Sequence, residues 1–168
     1  ITNGVHTRSW VSHELWDVLE RRLGKDFLED PWDQKGWEGV DRIPDEEIWD
    51  VRMARSEKLL KFVRRRIKEQ MARRGADATE IARADSLLNP KALTIGFARR
   101  FSTYKRGDLV FRDLDRLHKI LSDPKHPVQI IFAGKAHPQA TQGKELIRTI
   151  ARFARNDERF IGRVIFVE

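Results

Sequence analysis

The residues best placed to do chemistry are cations that follow apolar strands. In ALTIGFARRFSTYKR (92–106), Leu93, Ile95 and Phe97 alternate as in a buried strand, and Gly96 leaves room for another backbone or a ligand. The run then turns basic: Arg99, Arg100, Lys105 and Arg106 fall within eight residues. In an open α/β sheet, ligands bind just past the carboxyl ends of strands. Four cations at such an end predict an anion, most simply phosphate, which arginine grips with two parallel hydrogen bonds and lysine meets as a point charge. A solvated basic loop is the plainer reading of the same composition. A second stretch, VQIIFAGKAHP (128–138), is another apolar strand, and it runs into Gly134 and Lys135. Between the two, Val110, Leu114, Leu117, Ile120 and Leu121 have helical spacing over 109–123. That predicts a β-α-β unit whose two strands deliver cations to one edge.

The elements that must hold these loops lie on both sides. Leu146, Ile147, Ile150, Phe153 and Ala154 mark a helix over 142–156, and RVIFVE (163–168) reads as a third buried strand. Residues 92–168 thus predict β-α-β-α-β, half of a doubly wound α/β domain. Residues 1–91 predict a mainly helical segment. A helix over 9–23, with Trp10 and Trp16 in its apolar stripe, ends at Gly24. A connector of short turns follows over 25–44. A long helix over 44–74 has Asp45, Glu46 and Glu47 in its first turn and Arg73 and Arg74 in its last, each opposing the helix dipole. Ile48, Val51, Leu59, Phe62 and Ile67 outline its apolar face, with Leu60, Val63 and Met71 widening it; Arg64, Arg65 and Arg66 read as solvated. A short helix over 77–87 starts at Asp77, with Glu80 three residues on as an acidic capping box.

Composition sets the bounds. A chain of 168 residues, 40% hydrophobic and 35% charged, is expected to be a soluble domain with a real core. No apolar run approaches the ~20 residues of a membrane span, and no signal-peptide pattern opens the chain. With no cysteine, neither disulfides nor thiolate chemistry is available; a cytoplasmic location is the expectation. There is no G-x-G-x-x-G, no P-loop and no Cys/His cluster, so no metal site is predicted. The net charge of +7 points to anionic partners without choosing among phosphate, nucleic acid and an acidic membrane surface. Half a doubly wound sheet also predicts a free strand edge and an uncovered apolar face, hence self-association.

LNPKALTIGFARRFSTYKR followed by VQIIFAGKAHP resembles the start of the C-terminal domain of α-glucan (glycogen, maltodextrin) phosphorylases, most of all their bacterial branch. In that family the first strand ends in a basic-Arg-x-x-x-Tyr-Lys-Arg run and the next in Gly-Lys-Ala-x-Pro. The opening Asn3-Gly4-Val5-His6 resembles the Asn-Gly-Val turn at the family's glucose site. The resemblance implies an internal fragment across the junction of two domains of a GT-B enzyme, with residues 1–91 from the junction and 92–168 the first half of the C-terminal Rossmann-like domain. It implies phosphorolysis: orthophosphate attacks the nonreducing end of an α-1,4-glucan and releases glucose 1-phosphate, with pyridoxal phosphate as cofactor. The lysine that anchors the cofactor would lie outside this chain, so the chain alone would be inactive. By motif position the resemblance implies that Arg100 and Lys105 are catalytic. It likewise implies that Arg99, Lys105, Gly134 and Lys135 bind cofactor and that Asn3, Gly4 and His6 bind the glucosyl unit. Ser102 stands where better-known members have a histidine. Two alternatives stay open: a sugar-nucleotide-dependent GT-B glycosyltransferase, and a basic module that binds nucleic acid.

Overall fold

A computed structural model describes residues 6–30 and 33–168. The chain divides into two compact units, residues 1–57 and 58–168.

In the first unit, described from residue 6, the helix expected over 9–23 is two helices, α1 (Thr7–Trp10) and α2 (His13–Leu23). The break is made by Ser12, whose hydroxyl accepts a hydrogen bond from the Leu15 N–H at 3.3 Å and so caps α2. Gly24 ends α2 at φ +81°, as expected from its place in the sequence. The connector holds a short helix, α3 (Lys25–Glu29), and two 3₁₀ turns, Gln34–Trp37 and Val40–Arg42. Trp16, Val18, Leu19, Phe27 and Ile43 form the core here, with Trp37 edge-on to Phe27 at 4.7 Å. Trp10 stands out in solvent, 78% exposed. The long helix α4 (Asp45–Arg73) begins in this unit. On its first turn Glu47 accepts from Arg21 at 2.5 Å and Arg22 at 2.9 Å, and the Arg21 hydrogen bond holds the Glu47 carboxyl below its ordinary pKa.

The second unit is a three-stranded parallel sheet in the order β1 (Leu93–Ala98), β2 (Val128–Ala133), β3 (Val164–Val167). Ile95 pairs with Ile130 and Ile130 with Val164. The crossovers are α6 (Leu114–Leu121) and α7 (Thr141–Asn156). α6 starts five residues later than the apolar spacing suggests, because the Asp113 carboxylate caps it by accepting from the Arg116 N–H at 2.9 Å. Both crossovers pack with one face of the sheet: Leu117, Leu121, Ile150 and Ala154 meet Ile130, Phe132, Val164 and Phe166. Each fully buried phenylalanine or leucine contributes about 1.5–3 kcal/mol.

The opposite face was expected to be bare, and it is covered. Leu60 and Val63 of α4, with Ile67 beside them, pack on Ile131, Ile165 and Val167. The buried stripe of α4 is therefore 60, 63, 67 and 70, while Leu59 and Phe62 are nearly half exposed. Leucine and valine occupy both phases of the helix, so spacing alone does not choose between them. Arg64 lies on the buried side rather than in solvent: its guanidinium forks onto the Leu87 and Leu88 carbonyls at 2.8 and 2.9 Å. This holds the linker between α5 (Ala78–Arg83) and β1. α5 is capped by Asp77, which accepts from the Glu80 N–H at 2.9 Å. β1 is the thinly covered strand, with Leu93 54% and Ile95 47% exposed. No helix among the described residues is long and apolar enough to cross a membrane.

Candidate functional site

Parallel strands send their following loops to the same edge of a sheet. Here β1 and β2 end in register, Ala98 beside Ala133, so the 99–106 loop and the 134–138 loop leave side by side. They are joined further out. The Phe101 N–H donates to the Lys135 carbonyl at 3.0 Å, and Phe101 and Ala136 form an isolated parallel bridge.

Phe101 is the pin. It is 1% exposed and packs on Phe97 and Phe166 at centroid distances of 5.3 and 5.9 Å. Two close backbone approaches hold it there. A Cβ on Gly134 would lie 2.2 Å from the Arg99 carbonyl oxygen, and Gly134 sits at φ +144°. A Cβ on Gly143, in the first turn of α7, would lie 2.6 Å from the Phe101 carbonyl oxygen. Glycine is required at both places. Gly96, by contrast, faces open space on β1, with nothing within 4 Å of a Cβ there.

With the aromatic ring buried, the charged neighbours are left outside. Arg99 and Arg100 are exposed and have no acidic partner or hydrogen bond among the described residues. Lys105 is half-buried, its ammonium 5.5 Å from the centroid of the exposed Tyr104 ring. Arg106, at φ +50°, ends the 3₁₀ turn Thr103–Lys105 in the left-handed region. Arg21, Arg22, Arg55, Arg66, Arg74, Arg148, Arg155 and Arg159 meet carboxylates, whereas Arg42, Arg73, Arg83, Arg112 and Arg163 do not among the described residues, so what marks Arg99 and Arg100 is that two such cations adjoin at the end of a strand. Cations left unpaired together on a loop anchored by the buried Phe101 are suited to an anion that is not part of the chain. Ser102 adds a second sign. Its Oγ is buried without a hydrogen-bond partner, in the middle of that loop; such atoms are uncommon in native structures.

Lys135 is exposed on the other side of Gly134. It and Gly134 line a cavity of about 390 Å³ with Phe62, Arg65, Arg66 and Glu69 of α4 and the end of β3. The proximity of α4 cations to the 134–135 loop was not read from the sequence. It follows from the phase of the helix, which the apolar spacing left open: Arg66 lies three residues after the buried Val63. Arg66 is already engaged, donating to Glu69 at 2.8 Å and to the Glu168 carbonyl at 3.0 Å.

Thus Arg99, Arg100, Lys105, Gly134 and Lys135 share one edge of the sheet unit. His6 belongs to the first unit, exposed, with its Nδ1 2.7 Å from the Ser9 hydroxyl. Asn3 and Gly4 lie outside the described residues. Among the described residues no group of three or more His, Cys, Asp or Glu is placed to hold a metal ion.

Comparison with known proteins agrees with the sequence resemblance. No family model matches the chain. It is 42% identical over 168 residues to a glycogen phosphorylase of Aquifex aeolicus, covering all of this chain and 24% of that protein. It is 42% identical over 150 residues to a maltodextrin phosphorylase of Thermococcus litoralis, covering 89% of this chain and 17% of that protein. A glycogen phosphorylase of Mycobacterium tuberculosis is 39% identical over 155 residues, 92% of this chain and 18% of its own length. The chain therefore spans a quarter or less of the relatives it matches.

Proposed function

The chain is a stretch of the glycogen and maltodextrin phosphorylase family, and from that premise we propose that it supplies the phosphate-gripping edge of an α-1,4-glucan phosphorylase. The observation that carries this is the pairing of two loops, zipped through Phe101 and Lys135, whose Arg99 and Arg100 have no acidic partner among the described residues. The substrates are orthophosphate and an α-1,4-glucan, and the product is glucose 1-phosphate.

A phosphate-bearing cofactor fits this edge: the cations are unneutralised and Ser102 Oγ is unpartnered. Arg99, Lys105, Gly134 and Lys135 would hold the phosphate of pyridoxal phosphate. When bound, that cofactor supplies a second phosphate group able to relay a proton to the reacting one. The residues of this chain then have an electrostatic task. Two like unit charges about 4 Å apart repel by roughly 4 kcal/mol at an effective dielectric of about 20. Arg100 would offset that repulsion with the two-pronged donor set of a guanidinium, and Lys105 with a point charge that can serve both phosphates. Both are held on a loop pinned before substrate arrives, so little reorganisation is required during the reaction. Tyr104 shields one side of Lys105.

A sugar-nucleotide glycosyltransferase would use similar cations for a diphosphate, and its turnover would need a nucleotide sugar rather than orthophosphate. A nucleic-acid module would bind with an affinity that falls steeply with salt and ignores orthophosphate. The test is glucose 1-phosphate release from maltodextrin by the complete enzyme, which must depend on orthophosphate and stop in Lys105→Ala. Turnover with a nucleotide sugar and no orthophosphate would overturn the proposal.

The same reading predicts that this chain alone, incubated with pyridoxal phosphate, maltodextrin and orthophosphate, releases no glucose 1-phosphate above a boiled control. It also predicts self-association through the free edge of β1, seen as a concentration-dependent sedimentation coefficient. Stoichiometric cofactor uptake with product release would show that the anchoring lysine is within these residues.

A further inference from the structure

Two strands bound the sheet, and their outer edges are finished differently. Leu93 N–H donates inward, to the Pro127 carbonyl, so β1 turns the backbone of Thr94, Gly96 and Ala98 outward. No strand pairs with that side among the described residues. At β3 the outer side is met by Gln70 of α4, a polar residue only 2% exposed. Its Nε2 donates to the Phe166 carbonyl at 3.2 Å, and its Oε1 accepts from the Glu168 N–H at 2.9 Å.

These two bonds straddle Val167. In a parallel ladder, a residue donates to the carbonyl preceding its partner and accepts from the N–H following it. β2 follows this pattern on the inner side of β3, where Ile130, paired with Val164, donates to the Arg163 carbonyl at 2.8 Å. Gln70 repeats it on the outer side with one side-chain amide. A buried amide is costly unless both its ends are bonded, and an apolar residue would fill the same place without that demand. The ion pairs nearby do not substitute for it. Arg74 and Arg155 take the Glu168 carboxylate and Arg66 its carbonyl, leaving the Glu168 N–H and the Phe166 carbonyl to Gln70.

We propose that Gln70 acts as a one-residue surrogate strand. It closes the outer edge of β3 to strand addition and fixes the phase in which α4 lies on the sheet. The proposal does not depend on the phosphorylase assignment. It is tested in the 168-residue chain by hydrogen exchange and NMR. In the wild type, a scalar coupling across the hydrogen bond should connect the Glu168 amide nitrogen to the Gln70 side-chain carbonyl carbon. In Gln70→Leu, the Glu168 amide should exchange roughly tenfold or more faster, while the Ile130 amide, bonded on the inner side, keeps its wild-type rate. The variant should also self-associate at roughly tenfold lower concentration than the wild type, because a second edge has been opened. Absence of the coupling, an unchanged Glu168 exchange rate, or self-association equal to the wild type would each overturn the proposal. The wild-type coupling decides even if the variant fails to fold.

Discussion

Arg100→Ala in the complete enzyme is expected to lower phosphorolysis by at least ~100-fold, the loss that follows removal of one preorganised charged donor. Its guanidinium has no internal partner among the described residues, so the substitution breaks no ion pair and exposes no buried charge. Stability should stay within about 0.5 kcal/mol of the wild type, as for other exposed sites. That separation makes the result interpretable. Arg100→Lys keeps the charge and loses the fork, so it should recover only part of the rate. The measurement is initial rate against orthophosphate concentration, giving kcat and KM separately. Unchanged kinetics in Arg100→Ala would remove this residue from the mechanism.

Gly134→Ala is expected to damage the same edge by a different route, lowering stability by about 2–4 kcal/mol. Its Cβ would meet the Arg99 carbonyl oxygen at 2.2 Å, a backbone atom that cannot swing aside, and φ is +144°. At roughly 2–4 °C per kcal/mol for a chain of this size, the thermal midpoint should fall by about 4–16 °C. Gly96→Ala is the control. It lies on the neighbouring strand, nothing is within 4 Å of the added methyl, and its midpoint should stay close to that of the wild type. Equal midpoints for Gly134→Ala and the wild type would mean that the two loops do not approach as described.

These expectations rest on features of unequal legibility. The three strands could be read from apolar runs, and their parallel pairing followed from the helical spacing between them. α4 and α5 were legible because their ends carry the charges and caps that helix ends require. The break at Ser12 was hidden, since Trp10 and Leu15 continue an apolar stripe across it. The phase of α4 was hidden because Leu59 and Leu60, and Phe62 and Val63, offer the helix two neighbouring faces. Gln70 was invisible for the opposite reason: a polar residue at a core position contributes nothing to an apolar pattern. At the candidate site the cations were legible by type and position. What holds them was not, because Gly134 against Arg99 and Gly143 against Phe101 join segments more than thirty residues apart. Composition could not separate the unpaired Arg99 and Arg100 from arginines that meet carboxylates.

The cover that α4 gives the sheet has a consequence for synthesis. α4 precedes every strand it shields, so on a ribosome its apolar stripe leaves the exit tunnel before Ile131 does. β2 can therefore place Ile131 against Leu60 and Val63 without waiting for β3. The roughly thirty residues between β2 and β3 take a few seconds to make at about 5–20 residues per second. During that interval one face of the growing sheet is already shielded. On the other face Phe111, Leu117 and Leu121 also precede β2 and can meet Ile130 and Phe132 at once, so only the part of that face taken by Ile150 and Ala154 of α7 waits for later residues.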